Sequence, residues 1–232
     1  MDLRLHPMGD RAVIMEFGTK ISPSILEKIN RVTTFFDDQK PTWLIEYIPA
    51  FTTITVLYDA VTLTYYEVCQ KIMGVVSQLT ETRTIEQRVV DIPVCYGGEM
   101  GPDLAYVARV NGLTPDEVIQ IHSSRYYIVY MIGFAPGFPY IGGMSERIAT
   151  PRKEIPRLKI PARSVGIAGL QTGIYPISTP GGWQLIGRTP IELFRPCEKN
   201  PSLLRAGDKI NFIPITLKQY KEWEKTHDDY NS

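Results

Sequence analysis

Residues Met131–Pro196 hold 10 of the 18 glycines and 9 of the 18 prolines of this 232-residue chain, and no stretch among them is long enough for a regular helix. Proline fixes backbone φ and removes a hydrogen-bond donor. Glycine supplies positive φ or lets one backbone approach another. A region punctuated this often folds as many short strands, and these close on one another as a barrel or sandwich rather than as a layered α/β sheet.

The flanking sequence reads differently. Arg11–Phe17 is a short apolar strand. Ser22-Pro23 then combines a helix N-cap with proline at the first helical position, and Ile25, Ile29, Val32 and Phe36 follow at helical spacing. Strands are predicted at Trp43–Ile48 and Thr53–Tyr58. Thr64-Tyr-Tyr-Glu67 is a capping box that opens a second helix through Val68, Ile72, Val75 and Leu79. A strand around Arg88–Val94 completes the order β-α-β-β-α-β, a ferredoxin-like split arrangement. The polar stretch Thr80–Gln87 is the best candidate for a domain boundary, and the strand around Arg88–Val94 suits either domain.

Beyond it, short helices are predicted at Asp103–Val110, stopped by Asn111-Gly112, and from the capping box Thr114-Pro-Asp-Glu117 to about His122. Tyr126–Ile132 is a strand of high β propensity. After the Gly/Pro block, Gly207-Asp208 turns into a strand at Lys209–Pro214, Leu217–Lys225 forms a closing helix, and the tail His227–Ser232 frays.

Lys+Arg and Asp+Glu are both 25, so the chain has no basic footprint for nucleic acid or an anionic membrane. No run of about 18 apolar residues offers a membrane span. The first ten residues lack the apolar core of a secretory signal. Cys69, Cys95 and Cys197 are odd in number, far apart and without a CxxC pair. Neither a disulfide framework nor a zinc site is predicted, and free thiols suit a cytoplasmic protein. A phosphate loop, a dinucleotide fingerprint, HExxH and GxSxG are all missing, so the chain has no standard motif for ATP, NAD or zinc.

Candidate chemistry therefore rests on polar side chains held among the turns. Arg152, Arg163 and Arg188 are spaced through the block with Gln171, Thr172, Tyr175 and Thr189. A guanidinium on a rigid loop suits a planar carboxylate or a phosphate, which it grips through two hydrogen bonds, although each arginine taken alone also suits a surface ion pair. His122 ends a helix just before the block. It is either a histidine favoured by the helix dipole or a general acid/base near neutral pH. Cys95 with His122 would make a nucleophile–base pair, but nothing around Cys95 marks an activated thiolate.

The stretches Gly133-Phe-Ala-Pro-Gly-Phe-Pro-Tyr-Ile-Gly-Gly143, Gln171-Thr-Gly-Ile-Tyr-Pro176 and Pro180-Gly-Gly-Trp-Gln-Leu-Ile-Gly-Arg-Thr-Pro190 are long and specific. With Val94-Cys-Tyr-Gly-Gly98, Gly101-Pro-Asp-Leu104 and His122 upstream, they resemble the family of the 5-oxoprolinase B subunit, also called the KipI or allophanate-hydrolase-subunit-1 family. The resemblance covers essentially the whole chain and is densest over residues 92–214.

That resemblance implies an α+β chain: a small N-terminal domain, read above as ferredoxin-like and assigned to residues 1–86, followed by a cyclophilin-like β-barrel at 87–232. It implies partner subunits C and A, which together with this chain open 5-oxoproline to glutamate using ATP that no motif here binds. The chain alone is expected to be inactive. A related domain pair carries out carboxyl transfer in urea carboxylase. In spore-forming bacilli one member inhibits a sporulation sensor histidine kinase, so such a kinase is an alternative partner. A prolyl isomerase is suggested only by the barrel type, and fold does not fix function. By analogy Arg163 or Arg188 holds the substrate carboxylate or a phosphorylated intermediate, His122 moves protons, and Gln171, Thr172 and Tyr175 orient the ring. Arg152 and Thr189 are further substrate contacts, and no metal is expected.

Overall fold

A computed structural model describes residues 3–79 and 88–228, and its internal contacts divide the chain into two units, Met1–Glu86 and Gln87–Ser232. The polar stretch Thr80–Gln87 and the tail 229–232 lie outside the described residues.

The first unit runs β1 (Arg4–Pro7), β2 (Ala12–Glu16), α1 (Pro23–Gln39), β3 (Leu44–Pro49), β4 (Thr53–Tyr58) and α2 (Tyr65–Gln78). Ser22 accepts a hydrogen bond from Ile25 N–H, and α1 ends at Lys40 in the left-handed conformation, its N–H returning to Phe36. Thr64 and Glu67 bond reciprocally at the start of α2, so the capping box forms as the sequence predicts. Strand alternation turns Val13, Met15, Ile54 and Val56 toward the helices, where Ile29, Val32, Phe36, Val68 and Ile72 seal them completely.

The sheet order is β1-β2-β4-β3, antiparallel throughout. The four-strand, two-helix layer keeps the ferredoxin-like form, but its strand beside β2 is the N-terminal β1 and not the segment around Arg88–Val94. A four-residue turn makes β1 and β2 a local hairpin, whereas Ile92 and Val94 are fully buried in the core of the second unit.

The second unit runs β5 (Val89–Tyr96), α3 (Leu104–Val110), α4 (Pro115–Ser123), β6 (Tyr126–Ile132), β7 (Pro139–Gly142), β8 (Arg157–Ile160), β9 (Ser164–Ala168), β10 (Gln171–Ile174), β11 (Thr179–Gly181), β12 (Gln184–Arg188), β13 (Lys209–Pro214) and α5 (Leu217–Asp228). Seven of these strands close into a barrel in the order β10-β7-β6-β13-β5-β12-β9, and β8 pairs with β11 as a separate ribbon. Only β5 and β13 run parallel. The barrel carries no edge that would leave backbone groups unpaired. Val107 of α3 and Val118 of α4 extend its core, and Thr114 with Glu117 caps α4 reciprocally.

The entry into β13 is fixed electrostatically. Asp208 is 2% exposed, yet its carboxylate accepts from Arg88 Nε at 3.0 Å and from the Arg205 N–H at 2.9 Å. Arg88 also bonds Leu203 O, so the start of β5 and the turn before β13 are tied at one point. Asp208→Ala leaves these donors without their acceptor and is expected to destabilise the second unit by about 2 kcal/mol. Urea unfolding should show a lower midpoint, while Asp208→Asn, which keeps an acceptor oxygen, loses less.

Candidate functional site

The Gly/Pro block folds around one phenylalanine. Gly133 N–H donates to Phe138 O and Phe138 N–H to Ala135 O, a tight loop in which Phe134 and Gly137 take positive φ. The loop drops Phe138 into the barrel wall, 2% exposed. Tyr140, two residues on in β7, faces the same side. Four rings meet Phe138 edge to face: Phe134 at 5.3 Å, Tyr140 at 5.3 Å, Tyr175 at 5.4 Å and Trp183 at 5.6 Å between centroids. Glycine at 173 is required here, because a Cβ would lie 2.9 Å from Trp183 Cζ3 and 3.2 Å from Phe138 Cζ.

Above the rings lies an open basin of about 260 Å3, lined by Phe134, Tyr140, Tyr175 and Trp183 and by the Arg152–Pro156 loop and Pro180–Gly182. Arg152 holds its guanidinium over the Trp183 ring, 5.9 Å from the centroid, a cation–π contact. Three ties fix that loop: Lys153 N–H to Gly182 O at 2.7 Å, Gln184 Nε2 to Pro151 O at 2.9 Å, and Arg157 Nη2 to Asp103 Oδ1 at 2.7 Å. Asp103 is itself buried and also accepts from Leu185 N–H. Burial pushes the Tyr175 hydroxyl up to about 12, so it keeps its proton at neutral pH. The arrangement offers one cation above flat apolar faces, which matches a small ring bearing a carboxylate.

The residues predicted from sequence do not gather in one place. Arg152 and Tyr175 line the basin. Arg163 and Arg188 do not. The Arg163 guanidinium bonds Pro190 O and Glu224, and Arg188 Nε bonds Ala162 O. Gln171 is half-buried at the start of β10 and lies outside the lining. Thr189 is sealed in a turn, its Oγ1 accepting from Ile191 N–H.

His122 requires a correction. It is fully buried, with Nδ1 2.7 Å from the Tyr96 hydroxyl and Nε2 2.9 Å from Thr172 Oγ1. Thr172, equally buried, donates its own proton to Gly166 O. The chain of donors therefore runs Tyr96 to Nδ1 and Nε2–H to Thr172, which assigns a neutral imidazole. Phe212 packs on the ring at 4.4 Å, and burial drives its pKa down to about 3. Neither His122 nor Thr172 reaches a ligand in the basin. The helix-end histidine faces the barrel core, where charging it would cost its hydration. Burial likewise pushes the Cys95 thiol up, away from thiolate chemistry. Among the described residues no group of three His, Cys, Asp or Glu side chains is placed to hold a metal, and no helix is long and apolar enough to cross a membrane.

Phe134, Phe138, Tyr140 and Trp183 carry the basin but were not among the candidates read from sequence. Their signal was the recurrence of aromatic rings inside the glycine-rich motifs, where rigid turns leave space for flat side chains.

Comparison with known proteins agrees with this architecture. The family model for the carboxyltransferase domain, subdomain C and D, matches residues 3–204. The chain is 48% identical to the 5-oxoprolinase B subunit of Bacillus subtilis over 96% of its own length and 97% of the relative's. It is 42% identical to the 5-oxoprolinase B subunit of Escherichia coli O157:H7, covering 91% and 95% of the two chains. The crystal structure of TTHA0988 superposes with a TM-score of 0.78 at 33% identity, covering 88% of this chain and 40% of that one.

The buried histidine predicts an acid sensitivity. His122 titrates near 6.5 when unfolded and near 3 when folded, so between those values the unfolded chain binds the extra proton. Its contribution is intact above about pH 6.5 and is lost as the pH falls, at a limiting slope of about 1.4 kcal/mol per pH unit. Urea unfolding from pH 7 to pH 4 should show this slope, and His122→Gln should flatten it.

Proposed function

We propose that this chain, which belongs to the carboxyltransferase-domain family of the 5-oxoprolinase B-subunit proteins, is the B subunit of an ATP-dependent 5-oxoprolinase that opens 5-oxo-L-proline to L-glutamate. The observation that carries this reading is end-to-end similarity: 48% identity spanning 96% of this chain and 97% of a relative named for that role. The basin supplies a chemical counterpart. Its single guanidinium and flat aromatic faces suit a five-membered lactam that bears a carboxylate.

A lactam carbonyl is a poor electrophile. Phosphorylating its oxygen at the expense of ATP makes the ring carbon electrophilic; water adds there, the C–N bond breaks as the nitrogen takes a proton, and the resulting acyl phosphate is hydrolysed to glutamate and phosphate, which accounts for the need for ATP. In this reading Arg152 grips the substrate carboxylate and the ring lies against Trp183. Tyr175, buried to 1% exposure beneath Gly181, supports the floor of the basin. The chain carries no phosphate loop, and His122 is sealed away, so ATP binding and proton transfer fall to the partner subunits C and A. That in TTHA0988 the matching unit makes up 40% of a longer chain supports a unit that works beside another polypeptide. In this reading the complex works in the cytoplasm, which the unpaired thiols of the described residues suit. No observation on this chain favours the kinase-inhibitor alternative.

Reconstitution tests the reading. Combined with its A and C counterparts, this chain should give ATP-dependent release of glutamate from 5-oxoproline. Absence of turnover with all three chains folded would sink it. Arg152→Ala should lower kcat/KM by about 10- to 100-fold, the worth of one charge-assisted hydrogen bond. Trp183→Ala should raise KM, and His122→Gln should retain turnover at neutral pH.

A further inference from the structure

A second polar cluster lies where α5 meets the barrel, apart from the basin. Thr216 and Gln219 bond each other's backbone amides and start α5 firmly. Tyr220 and Glu224 then stand four residues apart on one helix face. That face packs on the barrel: Tyr220 is fully buried, and Glu224 Oε1 lies 3.1 Å from Arg163 Nη2.

Three features of the cluster are unexplained by packing. The Tyr220 hydroxyl is buried without a hydrogen-bond partner among the described residues, which native proteins rarely leave so without a reason. Arg163 is a non-glycine residue at φ 69°, pinned there by its N–H to Tyr175 O and by Thr189 N–H to its own carbonyl. This uncommon backbone fixes where its guanidinium emerges. Arg188 has only its Nε engaged, by Ala162 O, so its two terminal nitrogens carry no partner among the described residues. Arg188 Nε reaches the carbonyl of Ala162, the residue before Arg163, and Tyr220 stands one helical turn before the Glu224 that Arg163 meets, so the four side chains lie along one seam. The Glu224 carboxylate acts on the Tyr220 hydroxyl from nearby but falls short of hydrogen-bond geometry. The Arg163 guanidinium meets the Glu224 carboxylate, which is about one-third exposed and so open to displacement.

We propose that Arg163, Arg188 and Tyr220 form an oxyanion-binding site for a carboxylate or phosphate group, and that Glu224 occupies it in the free protein as an internal stand-in. A ligand displaces Glu224 from Arg163, meets the free nitrogens of Arg188 bidentately and gives the Tyr220 hydroxyl an acceptor. The site is independent of the oxoprolinase reading, because Arg163 and Arg188 do not line the basin.

Titration calorimetry on the intact chain with inorganic phosphate, and in a parallel arm with acetate, tests this without any turnover assay. Glu224→Gln removes the competing charge and should bind phosphate about tenfold more tightly than the unaltered chain. In that background Arg188→Ala should abolish the gain. Tyr220→Phe, which removes only the buried hydroxyl and should leave the fold intact, should reduce it. Tightening with both anions assigns a general oxyanion site, and tightening with phosphate alone assigns a phosphate site. The proposal is overturned if Glu224→Gln binds neither probe more tightly than the unaltered chain while its circular dichroism is unchanged.

Discussion

The basin of the second unit is organised around Phe138. Four rings approach it edge to face, each such pair contributing roughly 0.5–1.5 kcal/mol beyond the area it buries. That geometry holds only if the strand beneath carries no side chain, which is what Gly173 provides. The glycines of the block thus make room for rings, and the prolines hold the turns that present them. Asp103 extends the same rigidity to the loop over the basin, bonding Arg157 on one side and Leu185 N–H on the other. Arg152 is therefore delivered to Trp183 by a braced segment, the arrangement a preorganised binding group needs.

Alternation along the strands decides the fate of the remaining polar residues. On β10, Thr172 turns inward and meets His122 from α4, so a buried relay of Tyr96, His122, Thr172 and Gly166 O pins that helix to the barrel. Such a network is stable because every member is satisfied, and it is inert for the same reason. Arg163, just before β9, meets Glu224 of α5 instead, and Arg188 on β12 bonds the Ala162 carbonyl. The basin itself presents one guanidinium over aromatic faces, and the histidine is held apart from it.

Local signals in the sequence were legible. The capping boxes at Thr64 and Thr114, the Ser22-Pro23 start and the apolar stripe of α1 all form as read, because each depends on neighbours within one helical turn. The barrel was legible from glycine and proline density, since those residues constrain the backbone wherever they stand. Strand β1 was not: Arg4–Pro7 has little apolar alternation, and what holds it is its hairpin with β2, the packing of Leu5 on the core and the Tyr65 hydroxyl on Leu5 O. The direction of His122 was equally hidden, as one position at a helix end can face core or solvent. That Arg152 and Arg163 serve different places followed from chain closure, which brings Trp183 beneath one and Glu224 beside the other.

The central claim is that Arg152 holds the substrate carboxylate in the basin that Trp183 lines. The chain has two other tryptophans, Trp43 and Trp223. With both changed to phenylalanine, the fluorescence of the assembled complex reports on Trp183 among this chain's residues, against a complex carrying Trp183→Phe as the blank. Added 5-oxoproline should change that emission saturably, with a midpoint that follows KM and disappears in Arg152→Ala. An emission that stays constant while the same complex turns over substrate would contradict the account.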